Sequence, residues 1–236
     1  MPKSLAIAIA AGRDALSLYL KVFRVAWYWL IPLHLIDAGS NQLFSVLTER
    51  LQAMGREDFL SLAGIAFVEL IFTMIWSAAW ILVLTVSAQF ASNSRPESSP
   101  SRPFAQVLIE EIRVLASILW RLPLLLFPAL FQYVRMAFVP FIVILDPAYA
   151  RGEVDALKKS QRLSRGRFWL LALTILVSLA LPWFLDELAQ GENSSIWVEP
   201  LKGAASTTVT LFINVATGLF LFSLYRRVAE VPLKEI

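Results

Sequence analysis

The sequence predicts an all-α, polytopic transmembrane bundle of about six membrane segments, and three observations predict it. First, the stretch from Val114 to Leu145 is an apolar run whose only charges are Arg121 and Arg135, and it leads into a polar block, Asp146–Arg167, with six basic residues. A hydrocarbon-long segment ending in a cationic one marks a membrane span meeting a cytoplasmic surface. Second, 58% of the chain is apolar, 17% is charged and the mean hydropathy is +0.65. An ordinary soluble domain is roughly 45–50% apolar and about 25% charged. Third, the apolar residues fall in blocks near bilayer length, and the basic residues cluster between them.

Taken in order, residues 4–14 read as a lead-in lying at the interface. Arg13 and Asp14 follow the short apolar LAIAIAA too closely for a cleaved secretory signal. Residues 15–37 read as the first span, with Tyr19, Lys21 and Arg24 at one boundary. A polar loop, 38–58, leads to an overlong helix, 59–90, carrying Glu69, Trp76 and Trp80. The Ser/Pro-rich ASNSRPESSPSRP, 91–103, has no apolar stripe and reads as a linker. Residues 168–188 and 206–225 are near the ~20-residue length a span requires. The loop between them carries Asp186, Glu187, Glu192 and Glu199.

Residues 104–145 can form one long helix or a hairpin, and charge chooses between them. With a hairpin, sixteen Lys and Arg residues lie on the side of the two termini and three on the other. With a single crossing the division is eight against eleven. The positive-inside bias selects the hairpin. Pro128 supplies its turn, because it removes a backbone donor and clashes with the preceding helical turn. The legs are then 104–127 and 129–146, one of them either fully spanning or re-entrant. Residues 1–236 form a single transmembrane domain with both termini cytoplasmic, since the longest extramembrane stretches, about 20 residues, are too short for a core of their own.

Charges within a bilayer are costly, so Glu69, Arg121 and Arg135 are the first candidates for function. At a rise of ~1.5 Å per residue the hairpin puts all three about 10–15 Å below the outer surface, level with Gln132 and Asn214. This intramembrane layer is either a polar cavity for an anionic group or a proton relay, or a structural ion pair with snorkelling arginines.

The segment EVDALKKSQRLSRGR, 153–167, has acidic residues first and basic residues last, the order a helix dipole favours. It reads as a short interfacial helix ended by Gly166. Lys158, Lys159, Arg162, Arg165 and Arg167 form its anionic-lipid surface, at ~1 kcal/mol per cation, or serve as a plain topology signal. Cysteine is absent, which excludes disulfides and thiolate metal sites. His34, the one histidine, reads as an interfacial residue, and no set of residues has metal-ligand spacing. No phosphate loop, nucleophile elbow or dinucleotide fingerprint occurs. Ser206, Thr207, Thr208, Thr210, Thr217 and Gly218 suit close helix contact in the last span.

The string RMAFVPFIVILDPAYARGEVDALKKSQRLSRGRFW, 135–169, resembles a cassette of bacterial integral membrane proteins related to the membrane domain of glycerophosphoryl diester phosphodiesterases. The elements that carry it are Arg135, Phe138, Pro140 and Asp146, then Ala156, Leu157, Lys158, Ser160, Leu163, Gly166 and Phe168. The ending LFSLYRR, Leu221 to Arg227, is similar to that group's final helix. The resemblance covers the C-terminal half and implies a six-helix bundle in a bacterial inner membrane. The catalytic barrel of some relatives has no counterpart in these residues, so no catalytic residue is carried over.

The expected function is therefore non-enzymatic: a membrane-embedded accessory module that binds anionic lipid headgroups or a partner membrane protein. The alternative is a small transporter or lipid translocator using the Glu/Arg layer. Neither a cofactor nor nucleic acid is implied; topology accounts for the basic residues behind the pI near 9.3.

Overall fold

The structure, a computed structural model, describes residues 3–53, 59–92, 101–121, 126–189 and 198–229. Its described elements are all helices: α1 (Lys3–Ala53), α2 (Phe59–Ala91), α3 (Ser101–Leu119), α4 (Leu126–Arg135), α5 (Val139–Leu145), α6 (Pro147–Ala150), α7 (Ala156–Leu163), α8 (Phe168–Ala189) and α9 (Val198–Ala229).

The all-α bundle stands, with several boundaries corrected. Helix α1 runs through the expected loop 38–58 as far as Ala53, so the first helix is ~75 Å long at ~1.5 Å per residue. Leu43, Val46, Leu47 and Leu51 keep an apolar helical repeat there, and Thr48 Oγ1 donates back to the Phe44 carbonyl at 2.9 Å. Helix α3 starts inside the expected linker, at Ser101, and ends at Leu119; linker residues 93–100 lie outside the described residues. Residues 122–125 lie outside the described residues, and Pro128, the expected turn, sits in the first turn of α4. Backbone N–H groups there have no helical partner to lose, so proline is accommodated rather than chain-reversing. The second leg is broken into α4 and α5 by a turn at residues 136–138. Helix α8 matches its expected span to within a residue, and α9 begins earlier than expected, at Val198. The acidic-loop residues Glu192 and the rest of 190–197 lie outside the described residues.

Three described helical stretches are long and apolar enough to cross a membrane: Ser61–Ala91, Phe127–Leu145 and Ser206–Ala229. A fourth is reached if α7 and α8, bent by 103°, count as one. Helices α1 and α3 fall outside this set, because Lys21 and Arg24 lower the hydropathy of one and Glu110, Glu111 and Arg113 interrupt the other. Only 11% of the most apolar window of α2 is buried inside the protein. Leu16, Leu20, Phe127, Trp169 and Trp183 are each more than 65% exposed. Apolar surface on that scale would be a liability in water and is ordinary against lipid. The chain is a membrane-embedded protein.

Apolar burial drives helices together weakly in lipid, so close backbone approach has to replace it. Helix α1 presents Ala11, Ala15, Leu18, Val22, Ala26 and Leu30, a three-and-four-residue stripe with three alanines, to α2 and α9. At Gly218 of α9 a Cβ would lie 2.2 Å from Leu84 Cδ2 of α2, so only glycine fits without a shift. His34 is buried: its Nε2 donates to the Thr207 carbonyl at 2.8 Å, tying α1 to α9 and fixing the tautomer. Trp76 Nε1 donates to the Leu33 carbonyl at 2.7 Å and ties α1 to α2.

Candidate functional site

The site is assembled around α7. Asp155 caps that helix, its carboxylate accepting from the Lys158 amide at 3.1 Å. Asp146 caps α6 in the same way by accepting from the Ala148 amide at 3.0 Å, with Pro147 in the first helical position. The inner face of α7 is Ala156, Ser160 and Leu163, all buried. Ser160 Oγ donates to the Arg135 carbonyl at 2.8 Å and accepts from the Phe138 amide at 3.2 Å. One hydroxyl thus satisfies two backbone groups freed where α4 breaks into α5.

Two ion pairs hold α7 from either side. Lys159 Nζ pairs with Asp146. Arg113 of α3 spans Glu110, at 2.7 Å, and Asp155, at 2.9 Å. Tyr149 of α6 adds a hydroxyl donated to Glu110 Oε1 at 3.1 Å. Its phenol is pushed up to about 12, first by burial and then by the charge of Glu110. For Asp155, burial works against the charge. The bonds from Arg113 and the Lys158 amide, with the guanidinium charge, still hold its carboxyl below the usual carboxylate range.

The five predicted surface cations therefore divide. Lys158, Arg162 and Arg165 are exposed. Lys159 is committed to Asp146, and Arg167 is buried with Nη1 donating to the Leu163 carbonyl at 3.3 Å. Helix α7 ends at Leu163, before Gly166, whose φ of +73° turns the chain into α8. The 103° bend leaves α7 nearly perpendicular to α8, with Lys158 and Arg162 on its exposed face and Arg165 exposed in the turn that follows.

The predicted intramembrane layer is not drawn together. Arg135 ends α4, lies over the Phe131 ring at 5.4 Å and donates to the Gln161 carbonyl of α7 at 3.5 Å. It sits at the level of α7, not at that of Arg121. Arg121, in the turn after α3, folds back on that helix's end, donating to the Ser117 carbonyl at 3.0 Å. Gln132 is buried, while Glu69 and Asn214 are half-buried. Among the described residues no hydrogen bond or ion pair joins these five side chains to one another. The broken second leg is the reason: the turn at 136–138 carries Arg135 to α7.

Glu110, Arg113 and Tyr149 were not among the predicted site residues. The Glu110–Arg113 spacing of three residues is a legible helical ion pair. The convergence of α3, α6 and α7 on it is tertiary.

The cationic segments gather at one end of the bundle. Arg227 Nε pairs with Asp14 at 2.6 Å. Lys21, Ser92, Arg226 and Arg227 line one cavity of about 440 Å³, and Lys159 shares a second, of about 350 Å³, with Arg226. The chain matches no family model, no curated protein and no solved structure.

Proposed function

We propose that the protein is a non-enzymatic membrane module that engages anionic lipid headgroups through Lys158, Arg162 and Arg165. The observation that carries this is the attitude of α7: a short helix at 103° to an apolar one, its inner face buried and three exposed cations outward on it and in the turn after it, none ion-paired among the described residues. A helix lying in the interfacial plane presents its cations at headgroup depth. Lys159 and Arg167 serve a different end, since both are spent on bracing the helix. At ~1 kcal/mol per cation, three give up to ~3 kcal/mol of preference for an anionic leaflet, about a hundredfold.

The same reading places the bundle in a bacterial inner membrane with its basic end in the cytoplasm. It is supported by the positive-inside count and by the gathering of those segments at one end. The test is energy transfer from the tryptophans to dansyl-labelled lipid, with the full chain in mixed-lipid nanodiscs. Dansyl-phosphatidylglycerol should outcompete dansyl-phosphatidylcholine. The difference should collapse in the Lys158→Gln, Arg162→Gln, Arg165→Gln triple variant and in about 1 M salt, where the screening length is about 3 Å. Selectivity unchanged in the triple variant refutes the reading.

A further inference from the structure

Glu111 is a carboxylate in the interior of the bundle with no cation paired to it among the described residues. Among the described residues its side chain has one hydrogen-bond partner, Ser77 of α2, whose Oγ donates at 3.3 Å, and none of the ion pairs there reaches it. The neighbouring Glu110 has Arg113 and Tyr149; Glu111 faces the other way, into a cavity of about 330 Å³ between α2, α3, α4–α5 and α9. Trp80, Leu84, Leu115, Met136, Phe141 and Leu221 supply apolar wall. Thr73, Ser77 and Tyr133 are the polar residues that join Glu111 there.

The cavity walls come from the middle portions of three apolar helical stretches. Trp76 is the central residue of the apolar stretch 61–91, Met136 that of 127–145, and Gly218 is beside the centre of 206–229. Thr73–Leu84, Tyr133–Phe141 and Gly218–Leu221 are the parts of those helices that line it. An ionisable group among apolar walls within such a bundle is costly and rarely idle. An apolar cavity of a few hundred Å³ with one or two convergent polar groups is the ordinary form of a small-molecule site.

We propose that this cavity binds a membrane-soluble amphiphile bearing a protonated amine, its apolar chain against the α2, α5 and α9 walls and its ammonium on Glu111. Charge selects the class. A buried carboxylate without a cation is destabilising, and a ligand ammonium restores the missing half of the pair. An anionic amphiphile adds a second negative charge, and a neutral alcohol brings no compensating charge. The walls explain why the amine needs an apolar tail. This site is independent of α7 and of the headgroup reading.

A diazirine-bearing decylamine tests it, with the full chain in phosphatidylcholine nanodiscs and labelled residues mapped by mass spectrometry. Labels should concentrate on the cavity walls of α2, α3 and α5. Unlabelled decylamine should compete, and decanol and decanoate should compete about tenfold more weakly, the loss expected for a missing charge-assisted contact. Glu111→Gln should weaken labelling by a similar factor, Ala137→Trp should block it by filling the cavity, and Glu69→Gln, outside the cavity, should leave it unchanged. Labels spread evenly over lipid-facing residues, or equal competition by all three amphiphiles, would overturn the proposal. The competition series uses the unmodified chain, so it decides even if a variant fails to fold.

Discussion

Asp14 and Arg227 are joined by an ion pair of 2.6 Å across 213 positions of sequence. With side chains 43% and 38% exposed, the pair contributes at most about 1 kcal/mol. Its value is topographical: it records that the start of α1 and the end of α9 share one end of the bundle.

Labelling with a membrane-impermeant maleimide reads that arrangement directly, because the chain has no cysteine of its own. Glu153→Cys and Ala229→Cys should be modified from one face of the membrane. Ser45→Cys, about 46 Å further along α1 than Asp14 at ~1.5 Å per residue, should be modified from the other. Glu153 and Ala229 labelled from opposite faces would dismantle the arrangement.

Ser160→Ala should destabilise the protein by about 1–3 kcal/mol, because it strands the buried Phe138 amide and the Arg135 carbonyl at once. Thermal unfolding in detergent measures it. A loss no larger than that of Ser178→Ala, on the half-buried face of α8, would show that the α4–α5 break does not depend on the hydroxyl.

Gly218→Ala should be nearly neutral in stability, since the atom in its way is the tip of Leu84, which can swing into the adjoining cavity. Gly218→Leu should cost about 1–3 kcal/mol, the usual penalty of overpacking. Combining Gly218→Leu with Leu84→Ala should recover much of that loss, and strictly additive effects in the double-variant cycle would contradict the contact.

Asp155→Ala should cost about 1 kcal/mol through loss of the α7 cap, and Asp155→Asn less, because asparagine caps equally well. The pH dependence follows from the direction of its shift. Asp155 is held below its unfolded value, so its contribution is present above an ordinary carboxylate pKa of about 3.9 and disappears as pH falls through the lower folded value. Melting temperature against pH should therefore be less steep below about pH 4 in Asp155→Asn than in the parent. Identical slopes would count against the Arg113–Asp155 bridge.

The helices were legible because hydropathy is local. The spans at 59–90 and 168–188 follow from residue runs alone, and α2 and α8 reproduce them almost to the residue. The short helix within 153–167 was legible from its charge order, and α7 occupies Ala156–Leu163 of that segment, ending before the expected Gly166. The length of α1 was less so, because its polar extension past Asp37 has loop-like composition while keeping a helical apolar repeat.

Side-chain partnerships between elements were not legible, and Arg135 shows why. Counting residues from a turn at Pro128 put it level with Arg121, but the break at 136–138 and the hydroxyl of Ser160 carry it to α7. Lys158 and Lys159 are adjacent and chemically alike, yet one is exposed and the other is held by Asp146, thirteen positions away. Glu110 and Glu111 are likewise neighbours, one in a network with Arg113 and Tyr149 and the other in an apolar cavity. By itself the sequence determined that the chain enters lipid as helices, because transfer from water to hydrocarbon depends on local composition. Only the tertiary structure decided which charges are paired, exposed or alone, because pairing depends on the approach of helices distant along the chain.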